Sequence, residues 1–177
     1  AALDQFGLSG NFLESLPEGL FKDAGASMTF LNISGNMFET LPSAISDAVK
    51  LKKLIAYNNV LTSIADVDFS KMADLTEINF MKNYIAEIKD GTFAKNSPLL
   101  SVDLHDNQLT NLSGSVFAGT FENSRGDGKL QKLDITLNNI RVVDPALMKK
   151  CDTSINKFYP QKTALSLTLK KDSDTQI

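Results

Sequence analysis

The residues best equipped for chemistry lie close together. His105, the one histidine, sits between Asp103 and Asp106, and Asp134 follows in the next stretch of similar sequence. Imidazole and carboxylate together ligate metals or move protons, and paired carboxylates hydrolyse glycosides. Around these residues there is no metal-ligand spacing, no phosphate-binding glycine loop and no GxSxG nucleophile turn. Cys151 is the one cysteine, so no internal disulfide is available and cysteine usage gives no redox compartment. A catalytic set is therefore not expected, and neither is a metal or a cofactor. Asn32-Ile33-Ser34 and Asn111-Leu112-Ser113 fit the glycosylation acceptor pattern, and Arg125-Gly126-Asp127 matches a tripeptide used by integrin ligands.

The chain has 177 residues and a formal net charge of -3, enough for one sizeable core. No large basic patch is present to hold nucleic acid, and no apolar run approaches the roughly 18 residues of a membrane span. Residue 1 already lies within a periodic pattern and no signal peptide opens the chain, which suggests a trimmed fragment.

That pattern is what must position the candidates. LSGNFLESLP at Leu8–Pro17 returns as ISGNMFETLP at Ile33–Pro42. With the asparagine as anchor, the same spacing of apolar residues recurs six times. It begins with Leu3, Phe6, Leu8, Asn11, Leu13 and Leu16, then Met28, Leu31, Ile33, Asn36, Phe38 and Leu41. It continues at Asn59, Asn83, Asn107 and Asn138, with steps of 25, 23, 24, 24 and 31 residues. Five apolar columns hold in every copy. At 42% apolar composition, chance agreement is on the order of one in 10^11, which excludes coincidence. Phenylalanine recurs near the repeat ends at Phe21, Phe69, Phe93 and Phe117.

These residues resemble the leucine-rich repeat family, with its LxxLxLxxNxL pattern and repeats near 24 residues, over about residues 3 to 160. The GLF, GTF and SVF segments look like the typical extracellular subclass, and the resemblance implies that their phenylalanines stack into a spine. NKFYPQKTAL resembles the ends of leucine-rich repeat proteins of gut-type Bacteroidetes. The expected fold is α/β: a right-handed solenoid with a short-stranded parallel sheet on the concave face and turns or short helices on the convex face. One domain is expected over 1–177, with six repeats over about 3–147, an imperfect seventh over about 148–160 and a cap and tail over 161–177. The subclass points to an extracellular or cell-surface bacterial protein.

The alternation within LxL marks a strand with one buried face. Asn11, Asn36, Asn59, Asn83, Asn107 and Asn138 are expected to face inward where the chain leaves the strand, bonding backbone groups left by the turn. The repeated residues are thus scaffold, and function belongs to positions that vary. On the outward side, Phe30, Ile55, Tyr57 and Met81 place apolar bulk on a face that should be wet, which fits a partner site or a dimer contact. Asp103, His105 and Asp134 form a polar end. Asp103 and Asp134 share a column, where like charges repel unless a cation or a basic partner intervenes. The long fifth step places a polar, glycine-rich loop at 118–129, with Arg125 and Asp127 as a further candidate. The expected function is non-catalytic recognition of a protein or peptide on the concave face. A glycan-binding surface protein, with Tyr57 as a stacking platform, and a spacer module of a larger chain are the alternatives.

Overall fold

A computed structural model describes residues 3–96, 98–118, 130–142 and 144–150. Six three-residue strands form one parallel sheet in strict chain order. They are β1 (Gln5–Gly7), β2 (Phe30–Asn32), β3 (Lys53–Ile55), β4 (Glu77–Asn79), β5 (Ser101–Asp103) and β6 (Lys132–Asp134). Phe6, Leu31, Leu54, Ile78, Val102 and Leu133 stand in register across it, one per repeat. A parallel neighbour requires a long crossover, and here the crossover is the rest of each repeat.

The return path is mostly turns. Short 3-10 turns run over Ser43–Asp47, Phe69–Lys71 and Gly114–Phe117, and one α-helix, α1, spans Pro145–Lys150. The start of α1 is tied to the preceding repeat through Asp144, whose carboxylate accepts from the Gly114 amide at 2.7 Å and the Ala146 amide at 2.8 Å. Those two N–H groups hold the Asp144 carboxyl below its usual range.

All five apolar columns are buried throughout copies two to five, from Met28 to Leu112. In the first copy Phe6, Leu8, Leu13 and Leu16 are half-buried and Leu3 is exposed. The expected phenylalanine spine is continuous only in part. Phe69 and Phe93 lie 5.0 Å apart and Phe93 and Phe117 5.7 Å. Phe21 instead packs edge-on against Phe6 at 5.7 Å. The buried Ile45, in the turn of the intervening repeat, interrupts the column. The rest of the expected seventh copy, with Cys151 and the cap, lies outside the described residues.

The asparagine ladder joins each repeat to the one before. Asn83 shows the pattern: its Nδ2 donates to its own Phe80 carbonyl at 3.0 Å and to Ala56 of the previous repeat at 3.1 Å, while its Oδ1 accepts from the previous Leu61 amide at 3.1 Å. Asn36, Asn59, Asn107 and Asn138 repeat this arrangement. Asn11 is exposed and bonds only carbonyls of its own repeat.

This difference yields a test. Asn83→Ala strands the buried Leu61 amide, at about 1–3 kcal/mol, and takes one of two asparagine donors from the Ala56 and Phe80 carbonyls, which keep Asn59 and Asn107. It should lower stability in urea unfolding by about 3 kcal/mol, whereas Asn11→Ala, whose carbonyl partners reach water, should cost under about 1 kcal/mol. Equal losses would remove the ladder as the element that joins repeats.

Candidate functional site on the concave sheet

The register of the sheet sets its outward side chains in three rows. The first is Gln5, Phe30, Lys53, Glu77, Ser101 and Lys132, and the second is Gly7, Asn32, Ile55, Asn79, Asp103 and Asp134. Just past the strands, a further backbone ladder aligns Ser9, Ser34, Tyr57, Met81, His105 and Thr136 as the third. Gly10, Gly35, Asn58, Lys82 and Asp106 donate in turn to the carbonyls of Ser34, Tyr57, Met81, His105 and Thr136.

The second row has a structural duty that sequence reading missed. Asn32, Asn79, Asp103 and Asp134 each accept, through Oδ1, the backbone N–H two residues ahead, at 3.0, 3.0, 3.1 and 3.1 Å. Short amide and carboxylate side chains make such local bonds readily, and here they hold the chain as it leaves the strand. The glycosylation-type asparagine Asn32 is engaged in this way, and it also accepts from the Ser34 hydroxyl at 2.6 Å. Gly7 and Ile55 are the members of the row that cannot accept.

Ile55 therefore stands out. It forgoes the bond to the Tyr57 amide and offers a half-buried apolar side chain instead. Tyr57 lies two residues on along the same face and is 37% exposed. Met81 is its direct neighbour in the third row, through the bond from the Asn58 amide to the Met81 carbonyl. Phe30 belongs to the first row, one strand over and diagonal to Ile55, a separation of about 7–8 Å that large side chains bridge. The four sequence candidates thus form one contiguous apolar patch over β2, β3 and β4.

The polar candidates are brought together at the other end, over β5 and β6. The cation between the two aspartates comes from the chain itself: Lys132 Nζ lies 2.9 Å from Asp103 Oδ2. The bond from Asp103 holds the Lys132 ammonium above its usual range. Asp103 is buried, contrary to the wet position that alternation alone assigns to it. Asp134 Oδ1 accepts from the Thr136 hydroxyl at 2.7 Å and lies 3.9 Å from His105 Nδ1, which also contacts the Thr136 hydroxyl. Lys53 and Glu77 pair across β3 and β4 at 2.8 Å. Among the described residues no three histidine, cysteine, aspartate or glutamate side chains gather as a metal site would require. Arg125 and Asp127 lie outside the described residues.

A fourth row also escaped the sequence reading. The residue after each ladder asparagine faces out along one edge of the sheet, and in the first four repeats it is Phe12, Met37, Val60 and Tyr84. The regular spacing from the asparagine is the signal that marks it.

Comparison with known proteins agrees with this architecture. Residues 14–151 match the BspA type leucine rich repeat region, in six copies. An internalin (inlF) from Listeria monocytogenes superposes with a TM-score of 0.62 at 22% identity, over 81% of this chain and 37% of that one. A leucine-rich repeat protein of Leptospira interrogans gives 0.69 at 21% identity, over 84% and 36%. The chain thus spans somewhat over a third of the length of these two structures, and their likeness concerns the fold. No curated protein matches the chain.

The second row predicts an asymmetric exchange. Asn79→Ile removes the acceptor of the Met81 amide and should cost about 1 kcal/mol. Ile55→Asn supplies an acceptor for the Tyr57 amide and should stay within about 0.5 kcal/mol of wild type, the new bond offsetting lost packing. Urea unfolding of both variants decides this, and equal penalties would mean that Ile55 stands at no structural disadvantage.

Proposed function

Since the chain belongs to the BspA-type leucine-rich repeat family, we propose that it is a non-catalytic recognition module binding a protein or peptide through its concave sheet. The observation that carries this reading is Ile55. A residue that forgoes a repeated backbone bond, beside an exposed tyrosine and a methionine, fits a surface shaped for a partner more than for the fold. Tyrosine and methionine offer large, adaptable contact area. Phe30, Ile55, Tyr57 and Met81 act as the apolar anchor, and Asp103, His105 and Asp134 supply orientation at the polar end.

The partner is a protein or peptide because the patch is apolar and its flanking charges are already paired within the chain. Burying each anchor side chain is worth roughly 1.5–3 kcal/mol, so the four together supply at most about 6–12 kcal/mol gross, from which association costs are taken. Proteins of this family are usually surface or secreted, which supports a place at the cell surface or outside the cell. No helix among the described residues is long and apolar enough to cross a membrane.

The test is a proteome pull-down and a glycan array, run on wild type, Tyr57→Asp and Ile55→Asn, with circular dichroism to establish folding. A protein ligand held by wild type should bind Tyr57→Asp at least about tenfold more weakly, the worth of one lost anchor. Equal retention by all three forms would move the site off the concave sheet. Ligands found only on the glycan array would replace the reading with sugar binding through Tyr57. Absence of any ligand would favour a spacer role in a larger chain.

A further inference from the structure

Phe12, Met37, Val60 and Tyr84 form an outward row that the concave reading does not use. Their order is fixed by the backbone: the amides of Met37, Val60 and Tyr84 donate to the carbonyls of Leu13, Phe38 and Leu61 in the repeat before. The row is open, with Phe12 90%, Met37 45% and Tyr84 49% exposed. At a strand spacing of about 4.8 Å it runs about 15 Å along the stack.

Two residues further along the first two turns stand the exposed Glu14 and Glu39. Beside them two clefts of about 390 and 670 Å³ meet at Asp66, and their lining adds Glu18, Asp68, Glu87 and Asp90 with Lys89, while Lys71 and Lys95 lie near enough to Asp68 to act on its carboxyl. Among the described residues Glu14, Glu39, Asp66 and Glu87 have no ion-pair partner, whereas Glu77 and Asp103 on the concave sheet are paired with lysines. The two rows differ in length: the position of Glu14 and Glu39 is Thr62 and Ala86 in the third and fourth repeats, where the carboxylates come from the clefts instead, while the apolar row runs on to Tyr84. In the last two repeats the corresponding positions are Gln108 and Asn139, followed by Thr110 and Arg141.

We infer that this edge of repeats one to four is a second docking surface, for a basic amphipathic peptide segment of a partner. The apolar row takes one face of the segment, and the unpaired carboxylates take its lysines and arginines. An α-helix has a pitch of 5.4 Å, close to the strand spacing, and about ten residues cover 15 Å, so an amphipathic helix lying along the stack matches both repeat and length. The same carboxylates disfavour an anionic lipid surface and an acidic peptide.

The probes are two fluorescein-labelled 14-residue amphipathic helices with identical leucine faces, one with lysine and arginine on its polar face and the other with glutamate. Fluorescence anisotropy is read at low and physiological salt. Wild type should bind the basic helix and bind the acidic one at least about tenfold more weakly. Glu14→Gln with Glu39→Gln should weaken binding about three- to tenfold and flatten its salt dependence. Phe12→Ser with Met37→Ser should weaken it more than about tenfold. All four positions are exposed, so these variants should fold as wild type does by circular dichroism. Tyr57→Asp should bind the basic helix unchanged, which separates this surface from the concave one. Failure of wild type to bind the basic helix, equal binding of both helices, or indifference to the edge substitutions would overturn the inference. So would a concentration-dependent dimer abolished by Phe12→Ser with Met37→Ser, since the occupant would then be a second copy.

Discussion

Every repeat must reverse its chain directly after a three-residue strand, and the backbone groups released there have to be paired without water. That constraint organises the molecule. The ladder asparagine meets it with two donors and one acceptor, shared between its own turn and the turn before. The reversal also forces the preceding residue into the left-handed region, with φ of 71° at Gly10, 64° at Gly35, 54° at Asn58, 55° at Lys82 and Asp106, and 54° at Leu137. Glycine adopts this conformation freely, and asparagine and aspartate tolerate it. Lysine and leucine do so at about 1–2 kcal/mol each, and they hold it because the turn is fixed on both sides by ladder bonds. Adding a Cβ at Gly35 would bring it to 3.4 Å from the Gly10 amide, so adjacent turns are also closely stacked there.

Once the turns are fixed, the concave face is less free than its exposure implies. Its second row helps to hold the strand exits, and four of the six positions are amide or carboxylate side chains that bond their own backbone. Variation in that row therefore conflicts with stability wherever the acceptor is lost. Gly7 loses it in β1, the edge strand of the described sheet. Ile55 loses it in the middle of the sheet, where no end effect accounts for the exchange.

The repeating part of this arrangement was legible in the sequence because period and burial coincide. The leucine columns and the asparagine ladder read directly as strands and turns, and the ladder positions from Asn36 to Asn138 are buried as expected, whereas Asn11 is exposed. The phenylalanine spine was only half legible, since Ile45 occupies one place in the column and leaves Phe21 to pair with Phe6. Asn96 shows a different limit. It is fully buried where neighbouring repeats carry Ala48 and Met72, and its amide donates to the Phe69 and Met72 carbonyls, both at 2.9 Å. A polar residue in an apolar column gives no periodic signal for such a role. The pairing of Lys132 with Asp103 was hidden for a related reason. The partners lie 29 residues apart and in different rows, and only the diagonal reach of lysine across two strands joins them. Alternation assigned Asp103 to solvent, and the pairing helps to bury it.

The same pairings decide where along the stack binding energy is available. A ligand that engages Asp103 must compete with an ammonium already 2.9 Å away, and one that engages Asp134 must share an oxygen bonded to the Thr136 amide and hydroxyl. Replacing an internal partner with an external one gains little net free energy, because the charge is desolvated and satisfied beforehand. Ile55, Tyr57 and Met81 displace only water when they are covered, so their burial appears in the affinity with no internal bond lost. Apolar exposure on both the concave face and the edge is concentrated before β5, where Lys53 and Glu77 are also paired, and the described face over β5 and β6 is polar. Affinity should therefore come from the first four repeats, with β5 and β6 contributing orientation and holding the sheet they belong to.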